Sequence, residues 1–242
     1  MFQYKVLLPT SGTGSRLGEI TKHTNKALVL LNGREAVRYI LDSYDDAVPF
    51  VVTLGYLGEA VKTFLTKNYP QRVFEFVWVD TYEGQGSSLG YSMLQARANL
   101  QCPFIFHACD GIFFEKIPSP ERNWIGGYVP NQIVNPLPIE HYRTHTIKNA
   151  KILRLNDRGI VADSIHIGLD GIRDYKMWWR TLEEIYNRDK NDAQISDVPV
   201  LDSMIKQDVE FDWVPYKIWL DTGNVAAFQK ACEYVRVSAK NR

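Results

Sequence analysis

Short apolar, β-branched runs alternate with helical patterns through residue 112, and this alternation restricts the fold more than any other feature. Strands are predicted at residues 5–9, 49–54, 73–79 and 104–107, and helices at 34–44, 55–68 and 89–100. Strands that alternate with helices form a parallel sheet with helices on both faces and right-handed crossovers. The predicted fold class is therefore α/β, with a Rossmann-like, mostly parallel sheet flanked by helices.

The second half of the chain is less regular. Strands are expected at residues 124–128, 152–155, 163–169 and 212–216, and helices at 175–188, 198–206 and 225–235. No internal repeat, low-complexity tract or clear linker interrupts the sequence. A chain of 242 residues is long enough for one large core, so residues 1–242 are predicted to form a single domain.

Composition argues against several classes of protein. The formal net charge is zero, which gives no general attraction to nucleic acid or to an anionic membrane. The three cysteines form no CxxC pair and indicate reduced thiols in a cytoplasmic protein. We see no signal-peptide pattern, and no apolar run approaches the roughly 18–20 residues of a membrane span. Homo-oligomerisation is left open.

A loop rich in glycine, serine and threonine follows the first strand at residues 10–18 and contains Arg16, with Lys26 ten residues further on. It lacks the end of a Walker A loop, and its glycines are spaced one residue too widely for the dinucleotide pattern. Backbone N–H groups of such a loop can hold phosphates, while Arg16 and Lys26 add charge during attack at an α-phosphorus. An ordinary turn with two solvated cations stays an alternative.

The glycine-rich loop contains no carboxylate that could bind a metal ion, but two aspartates elsewhere in the chain could supply them. Asp110 directly follows the fourth strand, whose end lies beside the first strand at the switch point of a doubly wound sheet. Asp221 lies between an apolar stretch and the last helix. Together they could bind one Mg²⁺ with phosphate oxygens and water, although turn or capping roles remain open for each. The single Asp-Thr-Gly at 221–223 lacks the second copy that an aspartic protease needs.

These segments together resemble the sugar-nucleotide pyrophosphorylases, a family of sugar-phosphate nucleotidyltransferases, over most of the chain. Residues 12–17 with Lys26 resemble the family's glycine-rich signature and catalytic lysine, and residues 84–88 resemble its base-reading segment. Residues 107–110 and 219–223 resemble its two metal-aspartate segments, the second in a form close to the thymidylyltransferases. Residues 167–171 more loosely resemble its acceptor-side glycine strand.

The resemblance implies a GT-A-like nucleotidyltransferase fold, with a nucleotide-binding half at residues 1–112, an acceptor-binding half at 113–242 and Mg²⁺ as cofactor. It implies transfer of an NMP from an NTP to a phosphorylated sugar or alcohol, with release of pyrophosphate, for synthesis of glycan or surface-polymer precursors. No protein nucleophile is required. The implied site residues are Arg16 and Lys26 for catalysis, Asp110 and Asp221 for the metal, Leu8, Thr10, Ser11, Gly12, Thr13, Gly14, Ser15, Gln85, Gly86 and Ser87 for the nucleotide, and Gly168 and Asp170 for the acceptor.

The sequence also departs from the family. Ser11 replaces a usual glycine and Asn25 a frequent proline. The Glu-Lys-Pro segment that commonly supplies a second lysine to the sugar phosphate is missing, and an arginine of residues 154–159 could substitute for it. The base is not fixed, but the absence of obvious purine contacts favours a pyrimidine. A phosphocholine-type cytidylyltransferase and a catalytically silent nucleotide-binding protein stay open as alternatives.

Aromatic and basic side chains of the second half bear on the acceptor. Six aromatic residues there could include a cage for a quaternary ammonium group, but Trp178 and Trp179 fit better as core residues of a helix. His141, Arg143 and His145 alternate as on one face of a strand. We expect a solvated face there rather than a contact with the acceptor's phosphate.

Overall fold

The computed structural model describes residues 3–130 and 139–240. Its helices are α1 (Ala36–Asp42), α2 (Gly58–Asn68), α3 (Leu89–Gln95), α4 (Tyr175–Arg188), α5 (Asp197–Ile205) and α6 (Val225–Lys240), with short 3₁₀ helices at Ser15–Thr21, Lys26–Leu28, Arg97–Asn99 and Ile139–His141. Its strands are β1 (Lys5–Pro9), β2 (Leu30–Leu31), β3 (Arg34–Glu35), β4 (Phe50–Leu54), β5 (Phe74–Trp78), β6 (Phe104–His107), β7 (Gly111–Phe113), β8 (Trp124–Tyr128), β9 (Thr144–Lys148), β10 (Lys151–Asn156), β11 (Ser164–Ile172), β12 (Asp212–Tyr216) and β13 (Trp219–Asp221).

A nine-stranded sheet in the order β5-β4-β1-β6-β11-β8-β12-β10-β9 forms the centre of the described residues. The first four of these strands are parallel neighbours. Within this sheet, β10 and β11 run against the other seven, as the pairings of the second half require. The α/β fold class with a central sheet flanked by helices is therefore confirmed. Seven of the nine strands point the same way, but the sheet is mixed, because β10 and β11 of the less regular half pair antiparallel with their neighbours.

Helices cover both faces of the sheet because its central strands are apolar on both sides. In β1, Val6 and Leu8 pack in one apolar cluster with α1 and α2, while Leu7 packs in a second cluster with α3, α4 and α5. Trp178 and Trp179 of α4 are fully buried there. Truncating either tryptophan to alanine is expected to cost about 3–5 kcal/mol. The interpretation of both as core residues is confirmed.

Local turn chemistry explains where the first helix differs from its predicted bounds. Asn32 and Gly33 have φ values of 51° and 81°, which is the conformation of a tight hairpin turn. Arg34–Glu35 therefore pairs with Leu30–Leu31 as a strand, and α1 begins only at Ala36. Elsewhere, β11 continues to Ile172 and α6 to Lys240, beyond the predicted ends.

The strand ends determine where a ligand can be bound. β1 and β6 are adjacent and parallel, so the loops after both strands meet at one edge of the sheet. A separate two-stranded ribbon of β7 and β13 lies at the same edge, since β7 follows β6 after only three residues. Among the described residues, no helix is both long and apolar enough to cross a membrane.

Candidate functional site

The glycine-rich loop leaves the C-terminal end of β1 and folds closely against the residues that follow it. Gly14 has a φ of 68°, and a Cβ atom there would lie 3.1 Å from Thr21 Cγ2 and 3.2 Å from Lys26 Cβ. Glycine is the residue that adopts this φ without strain and allows so close an approach. The Thr21 hydroxyl donates a hydrogen bond of 3.0 Å to the Gly14 carbonyl and so closes the loop.

Asn25 fixes the segment that presents Lys26. Its side chain is fully buried, and its amide donates to the carbonyls of Thr10 at 2.9 Å and Tyr56 at 2.7 Å. Its Oδ1 accepts from the Ala27 N–H at 2.9 Å and caps the short helix there. These three hydrogen bonds give a structural reason for the asparagine that stands where the resembling family often has proline.

Two buried hydroxyl groups join the loop to its neighbours. Ser11 Oγ donates to Ser92 Oγ at 2.9 Å, which connects the loop to α3. Thr10 Oγ1 donates to the Thr53 carbonyl at 2.6 Å, which connects it to β4. Ser11, the second departure from the family pattern, therefore stabilises the loop through a side chain that glycine lacks.

Both cations of the loop meet one carboxylate. Lys26 Nζ lies 3.3 Å and Arg16 Nη2 lies 3.6 Å from Asp110 Oδ2. Burial by itself raises the pKa of Asp110, but the charges of Lys26 and Arg16 outweigh burial, and the pKa is lowered. Burial likewise lowers the pKa of Lys26, but the Asp110 charge outweighs it, and that pKa is raised. Lys26 and Asp110 therefore both stay charged near neutral pH.

The ribbon of β7 and β13 brings Asp221 to the same place. Its register sets Asp221 opposite Gly111, and the Thr222 N–H donates to the Asp110 carbonyl at 2.8 Å. A Cβ atom on Gly223 would lie 2.9 Å from Asp110 Oδ2 and 3.0 Å from Asp221 Oδ1. The carboxylates of Asp110 and Asp221, which are 111 residues apart in the chain, thus face one small space beside Gly223.

Tyr142 orients the second carboxylate. Its hydroxyl donates to Asp221 Oδ2 at 2.9 Å, while the Gly223 N–H donates to Oδ1 at 2.7 Å. The Tyr142 ring packs edge-on against Trp219, with 5.3 Å between ring centroids. Burial and the nearby Asp110 charge raise the pKa of Asp221. Burial also raises the pKa of Tyr142, so its hydroxyl keeps its proton and acts as a donor.

Two clefts meet at these charged groups. The first has a volume of about 340 Å³ and lies between the glycine-rich loop and the start of α3. The second, of about 500 Å³, lies between β11, the residues before β9 and the connection from α4 to α5. The residues that line both clefts are Arg16, Leu89, Phe106, Ala108 and Asp110.

Most of the predicted nucleotide residues line the first cleft, namely Ser11, Gly12, Thr13, Gly14, Ser15 and Ser87, together with Arg16, Lys26 and Asp110. Leu8 lies in the apolar core, and the Thr10 hydroxyl is turned to β4. Neither cleft has Gln85 or Gly86 in its lining. Gly168 lines the second cleft, whereas Asp170 is fully buried, where burial raises its pKa.

The second cleft contains basic residues that the sequence did not predict to lie together. Arg143 and Arg158 line it, together with His166. The expectation of a solvated strand face at residues 141–145 is wrong, because His145 is fully buried and Arg143 faces the cleft. Arg143 directly precedes β9, which the apolar pattern did not reveal because the strand reads Thr-His-Thr-Ile-Lys.

No protein-family profile matches the sequence, and no curated protein matches it. Solved structures do. A protein of Bacillus anthracis assigned as a glucose-1-phosphate thymidylyltransferase matches with a TM-score of 0.76 at 18% identity, covering 96% of this chain and 95% of that one. The CTP:phosphocholine cytidylyltransferase of Streptococcus pneumoniae has a TM-score of 0.74 at 16% identity, with 97% and 100% coverage.

The inositol-1-phosphate CTP transferase of T. maritima matches with a TM-score of 0.70 at 16% identity, covering 97% of this chain and 96% of that one. Each match extends over nearly the whole of both chains, so the likeness includes the antiparallel second half as well as the parallel first half. At such low identity, the likeness establishes the fold. The chain has the fold of the sugar-phosphate nucleotidyltransferases, as its sequence motifs predicted.

Proposed function

We propose that the protein is a metal-dependent nucleotidyltransferase that transfers an NMP from an NTP to a phosphorylated sugar or alcohol and releases pyrophosphate. One observation supports the proposal most strongly. Arg16 and Lys26 lie beside Asp110, Asp221 approaches from the other side of Gly223, and two clefts meet at this group. Phosphoryl transfer needs mainly positioning and neutralisation of charge, and these groups supply both.

The first cleft suits the nucleotide. Residues 11–15 line it together with Lys26, so backbone N–H groups and a partly buried ammonium group border the same space. These donors would hold the β- and γ-phosphates and the departing pyrophosphate. Its volume of about 340 Å³ is near the lower end for small-molecule sites, which supports the preference for a pyrimidine over a purine base.

The carboxylate pair suits a divalent cation. Asp110 and Asp221 both approach the small space beside Gly223, where a single added carbon would touch both oxygens. Mg²⁺ is commonly bound by one or two carboxylates and by phosphate oxygens, so these residues fit it. When bound, Mg²⁺ neutralises phosphate charge and polarises the α-phosphorus. Tyr142 would keep the Asp221 carboxylate oriented towards the ion.

The second cleft suits a phosphorylated acceptor. Arg143 and Arg158 line it, and Arg143 meets Asp157 only at 4.0 Å. Two guanidinium groups can bind a phosphate through several charge-assisted hydrogen bonds. We infer that they replace the missing second lysine. Gly168 lies at the wall of this cleft, and a Cβ atom there would lie 2.7 Å from Ala108 Cβ, so glycine keeps β11 close to the end of β6.

The chemical step then follows from the arrangement. A phosphate oxygen of the acceptor, held in the second cleft, attacks the α-phosphorus of the nucleotide held in the first, and pyrophosphate leaves. Arg16 lines both clefts and neutralises the negative charge that builds between them, with Lys26 acting from the nucleotide side. The residues only bind, orient and neutralise, because the attacking group comes from the acceptor.

Nothing specific favours a cage for a quaternary ammonium group. Among the described residues, the aromatic side chains that line the second cleft are Phe106 and Tyr142, and Tyr142 is already bonded to Asp221. Trp178 and Trp179 are buried in the core and are not available to a ligand. A phosphorylated sugar or polyol therefore fits the second cleft better than phosphocholine.

The test is pyrophosphate release from each of the four NTPs, combined with hexose 1-phosphates, phosphocholine and glycerol phosphate. We expect one pyrimidine NTP with one class of acceptor to give product, and Lys26→Ala to lower kcat by about 10²–10³-fold. Lys22→Ala is the matched control, since Lys22 is exposed and pairs with Glu19. No release with any pair of substrates, or equal release with all four NTPs, contradicts the proposal.

The acceptor side has its own test. Arg143→Ala and Arg158→Ala are expected to raise KM for the acceptor at least tenfold and to leave KM for the NTP within twofold, since both line the second cleft and neither lines the first. Arg154→Ala is the control, because Arg154 borders a neighbouring cleft with Arg143 but does not line the second cleft. An unchanged acceptor KM in both variants contradicts the assignment of these arginines.

A further inference from the structure

A second group of metal-ligand side chains lies beside the second cleft, apart from Asp110 and Asp221. It consists of His166, Asp170 and Asp197, whose ligand atoms all lie within 4.8 Å of one another. His166 and Asp197 line the cleft, and Asp170 is buried behind them. The nucleotidyl transfer proposed above uses none of the three side chains.

A bulge in β11 brings two of these residues together. In the pairing with β8, His166 is opposite Gly127 and Asp170 is opposite Ile125, so β11 has two residues more than β8 over this stretch. Gly168, between them, has a φ of 66°. In a straight strand, residues four apart lie about 13 Å from each other, which is too far to share an ion. Bulges occur frequently beside functional sites.

Asp170 gives the observation that points to a ligand. Its side chain is fully buried, and neither carboxyl oxygen has a hydrogen-bond partner among the described residues. A buried carboxyl group without partners is costly, and such groups normally bind a partner or a metal ion. A carboxyl oxygen of Asp170 lies within 4.8 Å of the ligand atoms of His166 and Asp197, so Asp170 is directed into the cluster.

His166 has the geometry of a metal ligand. Its Nε2 lies 2.9 Å from Asp197 Oδ2, close to the roughly 3 Å that separates adjacent nitrogen and oxygen ligands bound at 2.0–2.2 Å to one ion. Its Nδ1 lies 3.2 Å from His145 Nε2, and His145 Nδ1 lies 2.8 Å from Ser164 Oγ. With a metal on His166 Nε2, each remaining ring N–H has an acceptor, as is usual around metal-bound histidine.

We propose that His166 Nε2 and the carboxylates of Asp170 and Asp197 bind a divalent transition-metal ion such as Zn²⁺ or Mn²⁺. The imidazole distinguishes this site from the all-oxygen pair of Asp110 and Asp221, which fits Mg²⁺. Three protein ligands leave at least one coordination position free, as in catalytic zinc sites, and that position faces the second cleft. A phosphate or hydroxyl oxygen of a molecule in that cleft can occupy it.

Metal binding tests this site without any nucleotide or acceptor, so the result does not depend on the proposed reaction. The starting protein is the full chain carrying Asp110→Asn and Asp221→Asn, stripped of metal. Of the two proposed metal sites, the one at His166, Asp170 and Asp197 is then left intact. Calorimetric titration with Zn²⁺ is expected to give one ion per chain, and millimolar Mg²⁺ is expected not to displace it. Asp170→Asn and Asp197→Asn, each added to this background, are expected to weaken Zn²⁺ at least about 100-fold.

Asp202→Asn is the matched control, because Asp202 lies on the same helix as Asp197 and pairs with Lys206. It should leave Zn²⁺ affinity within twofold. Cu²⁺ bound to the same background should give an EPR spectrum with nitrogen hyperfine splitting that is lost in His166→Gln. If Asp170→Asn fails to fold, the Zn²⁺ affinity of Asp197→Asn, whose side chain lines the cleft, is compared with that of the control instead. Absence of a stoichiometric Zn²⁺ ion, or equal affinity in the aspartate variants and the control, overturns the proposal.

Discussion

Gly223→Ala is the sharpest perturbation of the proposed Mg²⁺ site, because it adds one carbon between the two carboxylates. That carbon would lie 2.9 Å from Asp110 Oδ2, 3.0 Å from Asp221 Oδ1 and 3.4 Å from Arg16 Nη2, whereas ordinary contact begins at 3.4 Å. The φ of Gly223 lies outside the left-handed region, so alanine fits the backbone. The change therefore acts on the two oxygens and not on the fold.

Its magnitude follows from these distances. Each oxygen must retreat by about 0.4–0.5 Å, which exceeds the tolerance of about 0.2 Å for metal–ligand distances. Mg²⁺ requires nearly ideal octahedral geometry, so both carboxylates lose effective coordination. Loss of one preorganised electrostatic group lowers kcat by about 10²–10³-fold, or about 2.7–4 kcal/mol. Stability should change little, since replacing glycine at an unstrained position is worth only about 0.4–1 kcal/mol.

The assay is initial-rate pyrophosphate release at increasing Mg²⁺, with the midpoint of thermal unfolding measured on the same samples. We expect kcat to fall by at least about 100-fold, a higher Mg²⁺ requirement, and a melting temperature within about 4 °C of the parent chain. Retention of kcat within twofold at the same Mg²⁺ requirement would refute the reasoning, because the two carboxylates would then not share an ion beside Gly223.

Other predictions concern orientation, packing and pH. Tyr142→Phe removes the hydroxyl that donates to Asp221 Oδ2, so the Mg²⁺ concentration required for pyrophosphate release should rise about tenfold, and an unchanged requirement contradicts that role. Gly90→Ala drives a methyl group into Ile195 and should lower the free energy of unfolding by about 1–3 kcal/mol in urea, whereas a stabilised variant would contradict the contact. Burial lowers the pKa of His107 to about 4, so the unfolded chain takes up its proton first as the pH falls below about 6.5. The stability contributed by neutral His107 is therefore complete above pH 6.5 and declines by about 3 kcal/mol towards pH 4, and urea titrations should show this component missing in His107→Phe.

The sequence predicted best those parts of the fold that local patterns determine. The strands and helices of residues 5–107 have strong apolar periodicity, and the bounds of β1, β6 and α4 agree with their predictions. The glycine-rich loop was also recognisable, because its composition and its distance from Lys26 are local features. The position of Asp110 after β6 followed from a topological rule that needs only the order of the strands.

The parts that the sequence did not reveal depend on partners far along the chain. The ribbon of β7 and β13 has only three residues on each side, and its two strands are about a hundred residues apart. Asn25 holds the Lys26 segment by donating hydrogen bonds to the carbonyl groups of Thr10 and Tyr56, and no local sequence pattern shows that these groups lie nearby. Asp170 was expected to touch the acceptor, but the bulge at Gly168 and its burial set it behind the cleft, beside His166.

The two halves of the chain therefore build their sides of the site in different ways. The parallel half presents backbone N–H groups from a loop after β1, and such groups depend little on side-chain identity. The antiparallel half presents the side chains of Arg143, directly before β9, and of His166 in β11 to the second cleft. Under the proposed function, substitution in the second half is therefore expected to alter the choice of acceptor without changing the loop that binds the nucleotide. This difference explains why the glycine-rich loop was recognisable in the sequence, whereas the grouping of Arg143, Arg158 and the His–Asp cluster around one cleft was seen only in the structure.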